Sequence, residues 1–200
     1  MKKLSLKKIR PAKKGFGLIE VGLVLVVIAI LAAAAYPRFR DKQDVSKAVQ
    51  DAEASLELGA TVESILDGGD FGSKSDFVDS ILSLKPKQIK VRGTQMLNGF
   101  DGVIHFVPAA DTSPNFLIAN DNIPSGKACV KFVKKLENGM FYAYNVVDQP
   151  SGSTAPTYST TDAKRYDVAK NSDYTKICNQ SGASDRKKRI FVWYNPAERI

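Results

Sequence analysis

The sequence predicts an α+β protein in which one long N-terminal helix leads into a mixed globular head. Three observations carry this expectation. Val21 to Ala35 is a run without a polar side chain. After Pro37, apolar and small residues recur every three or four positions, the period of a helix with one buried face. Beyond Gly68 and Gly69, short apolar runs bounded by turn residues alternate with a helix-like stretch that opens at Ser125.

Phe16, Leu18 and Ile19 extend the apolar run towards the N-terminus. As a helix, Phe16 to Tyr36 spans about 30 Å, the thickness of a bilayer's hydrocarbon. Pro37 is expected to kink that helix, because it lacks the amide that bonds one turn back. Val45, Ala48, Val49, Ala52, Leu56, Gly59, Ala60, Val62 and Leu66 then make one stripe, with Lys47, Asp51, Glu53, Glu57 and Glu63 on other faces. Gly68 and Gly69 stop it. The expectation is one kinked helix from about Phe16 to Asp67.

In the head, Ser73 and Asp76 form a capping box for a short helix with Phe77, Val78, Ile81 and Leu84 inward, ending before Pro86. "GVIHFVP", "NFLIAN", "MFYAYNVV" and "RIFVWYN" read as strands. "IPSGKACVKFVKKLENG" reads as a helix capped by Ser125 and closed by Gly139, with Cys129 on its apolar side. Residues 148–188 are a long polar excursion that Cys178 can tie down.

Composition and charge narrow the function. Of the net charge of +8, seven units sit in the first fifteen residues, where Lys2, Lys3, Lys7, Lys8, Arg10, Lys13 and Lys14 meet no acidic residue. Without those seven, 22 basic and 21 acidic side chains remain, so the head is not an electrostatic match for nucleic acid. A basic segment before an apolar run holds an N-terminus on the cytoplasmic side of a membrane. Cys129 and Cys178 are the only cysteines and His105 the only histidine, too few for a zinc site. If the head lies in an oxidising space, a disulfide is the natural use of the pair; two buried thiols are the alternative. Nothing supports catalysis or a cofactor. His105 lies in a strand pattern without a nucleophile motif, and the glycines of "DGGDFG" follow a helix rather than a strand. "DRKKR" at 185–189 reads as a solvated loop entering the last strand, with DNA contact as the rival reading.

One residue resists the simplest account of the N-terminus. A removable secretory signal, cut at Ala33–Ala35, explains the alanines. It does not explain Glu20, a carboxylate that costs about 2–3 kcal/mol in hydrocarbon even on lenient scales.

"KKGFGLIE" followed by an apolar stretch resembles the type IV prepilin signature, whose usual form is basic residues and then GFTLIE. The resemblance implies cleavage after Gly15 by prepilin peptidase, N-methylation of Phe16, and an assembly role for Glu20; Gly17 stands where threonine is commoner. Pro37 falls where many pilins have a kinking proline. "MLNGFDGVIHF…NFLIANDNIPSGKACVKFV", with a cysteine pair enclosing the C-terminal region, resembles type IVb pilins of the toxin-coregulated and conjugative thin-pilus kind. It implies the pilin fold, with the long helix packed on an antiparallel sheet, short helices and a Cys129–Cys178 disulfide. It also implies the organisation: leader 1–15, transmembrane and filament-core helix 16–37, soluble head 38–200. The expected partners are further copies in a helical homopolymer, the peptidase, the pilus assembly machinery, and the inner membrane before assembly. The chain would cross that membrane once, N-terminus cytoplasmic, and end in an extracellular pilus. Minor pilin, type II secretion pseudopilin and DNA-uptake pilin are the alternatives.

In that frame Glu20 has a partner. Cleavage creates a charged α-amine at Phe16, which in a filament core can meet the Glu20 carboxylate of a neighbouring subunit. Ala29 and Ala32–Ala35 would let such helices approach closely.

Overall fold

The computed structural model describes residues 17–66, 80–109, 114–137, 139–150, 154–179 and 187–198. The chain divides into two compact units, up to Phe39 and from Arg40 onward. Helix α1 runs Leu18–Ile65 and contains Pro37. The expected stop at Gly68 and Gly69, the capping box at Ser73 and Asp76, and Phe77 and Val78 lie outside the described residues. Residues 80–84 are helical; Ile81 is buried as expected, but Leu84 is exposed.

In the first unit, α1 is apolar all round, and its side chains from Leu18 to Leu31 are exposed. An 18-residue window of the helix has a mean hydropathy of 2.8, long and apolar enough to cross a membrane.

In the second unit, α1 carries one buried stripe: Ala48, Ala52, Leu58, Gly59 and Val62. Ala60 was expected in that stripe and is exposed instead. Gly59 lies close against Met140 and Phe141, and an added Cβ would stand 2.5 Å from Met140 Sδ, so that side chain would have to shift. Among the described residues a single sheet has seven strands. They are β1 (Lys90–Arg92), β2 (Gln95–Leu97), β3 (Val103–Pro108), β4 (Phe116–Pro124), β5 (Ala143–Asp148), β6 (Lys164–Arg165) and β7 (Lys187–Tyr194). The spatial order is β1-β2-β3-β4-β7-β5-β6, and every neighbouring pair is antiparallel. The last strand of the chain thus inserts between β4 and β5.

Side chains alternate across this sheet, as a two-residue period demands. Phe116, Ile118, Ile190 and Val192 join the α1 stripe in the main core. Leu117 and Trp193 point into a smaller cluster with Tyr142 and Ala143. Helix α2 spans Lys127–Leu136 and buries Ala128, Cys129, Phe132, Val133 and Leu136. Its N-cap is Gly126, at φ 73° with no side-chain cap, rather than Ser125, and its last helical residue is Leu136 rather than one near Gly139. Helix α3, Asn171–Asn179, lies inside the polar excursion, where the sequence pattern indicated no helix; it buries Tyr174, Ile177 and Cys178. The hairpin β1–β2 and the two-residue β6 were likewise unanticipated.

Candidate functional site

Glu20 is the third residue of α1, and its carboxylate accepts a hydrogen bond from the Gly17 amide at 3.0 Å. A carboxylate is favoured there, because the first amides of a helix lack partners and carry partial positive charge. Gly15 and Phe16 lie outside the described residues. Glu20 and Pro37 both sit on the exposed apolar segment. The site therefore consists of one acidic group at the head of a segment that is otherwise apolar as far as Tyr36. It can pair with a cation brought by another molecule.

Cys129 on α2 and Cys178 on α3 are bonded, with Cα atoms 5.7 Å apart, and both are fully buried. The bond ties α3 to α2, and Gly126 donates its amide to the Cys178 carbonyl at 3.4 Å. Tyr144 stacks on Tyr166 with ring centroids 4.7 Å apart and meets Tyr174 edge-on at 5.3 Å. Burial first, and then the Asp173 and Glu137 charges, push the Tyr144 hydroxyl up to about 12.

A buried polar network holds the sheet to α1. Residues 98–102 form a turn in which Asn98 Oδ1 accepts the Phe100 and Gly102 amides, at 3.0 and 2.9 Å. Asn98 Nδ2 donates to the Asp121 carbonyl at 2.7 Å, at an irregularity in β4 where Asn122 adopts φ 61°. Gly102 must be glycine here, since a Cβ would overlap the Asp121 backbone. Gly99 donates its amide to Asp51 Oδ1 of α1 at 2.8 Å. Asp51 was expected on an outer face; it is 5% exposed because the turn closes over it. Burial pushes its carboxyl up to about 6, against the pull of the Gly99 amide and of the Lys47 and Lys90 charges.

The basic run before the last strand is also not a solvated loop throughout. Residues 185 and 186 lie outside the described residues, but Lys188 and Arg189 are buried in β7. Arg189 forms two hydrogen bonds to Asp121, that from Nη2 at 2.9 Å, and His105 Nε2 lies 3.2 Å from Asp121 Oδ2. Lys188 Nζ reaches Asp148 Oδ1 at 2.7 Å. Burial alone would raise the Asp121 carboxyl. Hydrogen bonds from His105, Arg189 and Gln149, with the Arg189 charge, outweigh it and hold the group at about 2. His105 is therefore a member of a structural ion-pair cluster. Arg189 already opens the strand run "RIFVWYN", and the observed strand extends two residues further back, to Lys187. Among the described residues no group of three or more His, Cys, Asp or Glu is placed to hold a metal ion.

Residues 10–36 match the family model described as the prokaryotic N-terminal methylation motif. Among solved structures, the type IVb pilin from Salmonella typhi is similar to this chain, with a TM-score of 0.52 and 14% sequence identity. The match covers 73% of this chain and 98% of that one, and at this identity it speaks for the fold. No curated protein matches the sequence. The chain thus joins a prokaryotic N-terminal methylation motif on its apolar helix to a disulfide-bonded head whose fold is that of a type IVb pilin.

Proposed function

We propose that the chain is a structural subunit of a type IV pilus of the IVb kind. The leader, residues 1–15, holds the N-terminus in the cytoplasm. Prepilin peptidase cuts after Gly15 and methylates Phe16. Residues 16–37 anchor the subunit in the inner membrane and later pack in the filament core, with Pro37 redirecting the helix where it leaves the bilayer. The head, residues 38–200, faces outward in the extracellular pilus, and the assembly machinery adds further copies of the same chain.

The observation that carries this reading is the lone carboxylate of Glu20 at the start of an exposed apolar helix. An anchor alone gains nothing from that charge, whereas a helix that packs against copies of itself gains a register. The cleaved α-amine of one copy meets the Glu20 of another, and neither charge is left unpaired in hydrocarbon.

The test is Glu20→Gln in cells, scored for processing and for surface filaments. Cleaved subunits that begin at Phe16 and accumulate in the membrane without filaments are the expected result. Uncleaved precursor alone would assign Glu20 to peptidase recognition, and normal filaments would refute both roles. A mature chain beginning at Tyr36 would return the N-terminus to an ordinary secretory signal.

A further inference from the structure

The apolar segment of α1 ends at Tyr36, and charge follows at once. Arg38, Arg40 and Lys42 are all exposed, and Tyr36 and Phe39 beside them are 66% and 70% exposed. The fold brings two further cations to the same end of the head. Helix α2 starts beside Asp41, whose carboxylate lies 3.9 Å from Lys127 Nζ, and runs along α1 until Lys135 reaches Glu53 at 2.9 Å. Its start therefore lies where α1 enters the head. Strand β4 finishes three residues before Lys127, and its last residue, Pro124, pairs with Lys187 at the exposed start of β7. Arg40, Lys42, Lys127 and Lys187 thus gather at one end of the second unit, with Arg38 just ahead of them in the chain. The acidic groups here are Asp41, Asp44 and Asp148, and Asp148 is held by Lys188 at 2.7 Å. Five cations therefore stand against Asp41 and Asp44. Lys127 is 81% exposed, and a pair as exposed as Lys127 with Asp41 is weak. Arg38, Arg40, Lys42 and Lys187 have no ion-pair partner among the described residues.

We propose that this basic end is a seat for anionic phospholipid headgroups, holding the head on the outer leaflet of the inner membrane until the subunit is assembled. The inference rests on the pilus reading above, which puts Tyr36 at the bilayer surface. The occupant follows from continuity with the apolar segment. Arg40 is four residues beyond Tyr36, a rise of about 6 Å along the helix, so a bilayer spanned by that segment presents its phosphates at this level. Tyrosine is enriched at that boundary, and long basic side chains lay their stems on apolar surface while their charges reach phosphate. An anionic leaflet attracts basic groups that flank a span, and the attraction fades over about 10 Å. It reaches these cations and hardly reaches Lys164. That residue pairs with Tyr144, which pairs in turn with Val192, and Val192 is about 16 Å along β7 from Lys187.

The test places the full chain in vesicles of phosphatidylcholine, or of phosphatidylcholine and phosphatidylglycerol in equal parts. A membrane-impermeant acylating reagent labels the outward-facing heads, and mass spectrometry reads each lysine. Anionic vesicles should slow labelling of Lys42, Lys127 and Lys187 at least fivefold and leave Lys164 within twofold. High salt should abolish the difference. Arg38→Gln with Arg40→Gln, both at exposed positions, should bring Lys127 and Lys187 to within twofold of their neutral-vesicle labelling while Trp193 fluorescence stays unchanged. Full protection in that variant would overturn the seat as drawn. Equal labelling in the two kinds of vesicle, with the chain still embedded, would overturn it and leave the pilus reading intact. Equal protection of the same lysines by inorganic phosphate or duplex DNA in neutral vesicles would assign the surface to a free anion or to nucleic acid, and would overturn it too. A mature chain beginning at Tyr36 has no anchor, and would remove both the seat and the reading on which it rests.

Discussion

Asp51→Asn should stabilise the head at neutral pH, contrary to the usual effect of changing a buried, hydrogen-bonded residue. The carboxylate is 5% exposed, one oxygen accepts the Gly99 amide, and the other has no hydrogen-bond partner. Its pKa rises from 3.8 to about 6 on folding, so between those values the folded state binds more protons than the unfolded one. Stability contributed by the protonated group is then fully present below the unfolded pKa and is lost as pH rises through about 6. A shift of about 2 units corresponds to ~3 kcal/mol, at 1.36 kcal/mol per unit. Asparagine keeps the acceptor for Gly99 and does not titrate. The stability difference, variant minus parent, should therefore grow by about 2–3 kcal/mol between pH 4 and pH 7.5. Using that change, rather than either difference alone, cancels any fixed cost of the new amide. Urea unfolding of the detergent-solubilised chain measures it, followed by the fluorescence of Trp193, the sole tryptophan and 3% exposed. A difference that is flat with pH, or that shrinks as pH rises, would refute the reasoning.

Breaking the Asp121 cluster should act in the opposite direction. Asp121→Asn leaves Arg189 buried beside His105 without its counter-charge, and should cost about 3–5 kcal/mol in the same unfolding assay. Because the Asp121 pKa is depressed from 3.8 to about 2, that deficit should persist from neutral pH down to about 4 and narrow progressively as pH falls from about 4 to about 2. Cys178→Ser opens a bond spanning 49 residues and should lower stability by up to about 4 kcal/mol. Reductant should reproduce the loss in the parent and leave the variant unchanged, and thiol labelling of the denatured, unreduced parent should find no free cysteine.

What the sequence determined by itself is what short-range pattern encodes. The apolar run and the stripe after Pro37 specify α1 because a helix satisfies its backbone within itself, so periodicity alone reveals it. "KKGFGLIE" is a contiguous signal, and the single pair of cysteines suited a disulfide if the head lay in an oxidising space, with two buried thiols as the alternative. The strand runs around Ile104, Ile118, Val146 and Val192 were legible for the same reason, since alternation is local. Their order was not. That β7 enters between β4 and β5 depends on pairings such as Ile118 with Val192, far apart in the chain and invisible to any window. Burial of charge escaped for the same cause. Asp51 and Arg189 look like solvated residues until the 98–102 turn and the β4 irregularity, brought from distant sequence, close over them and supply their partners. Helix α3 has few apolar residues and a weak local signal; it exists because Tyr174, Ile177 and Cys178 find a core prepared by α2 and Tyr144. The tertiary structure decided every feature whose stabilising partner lies elsewhere in the chain, because desolvation and pairing are properties of the assembled core and not of the segment that enters it.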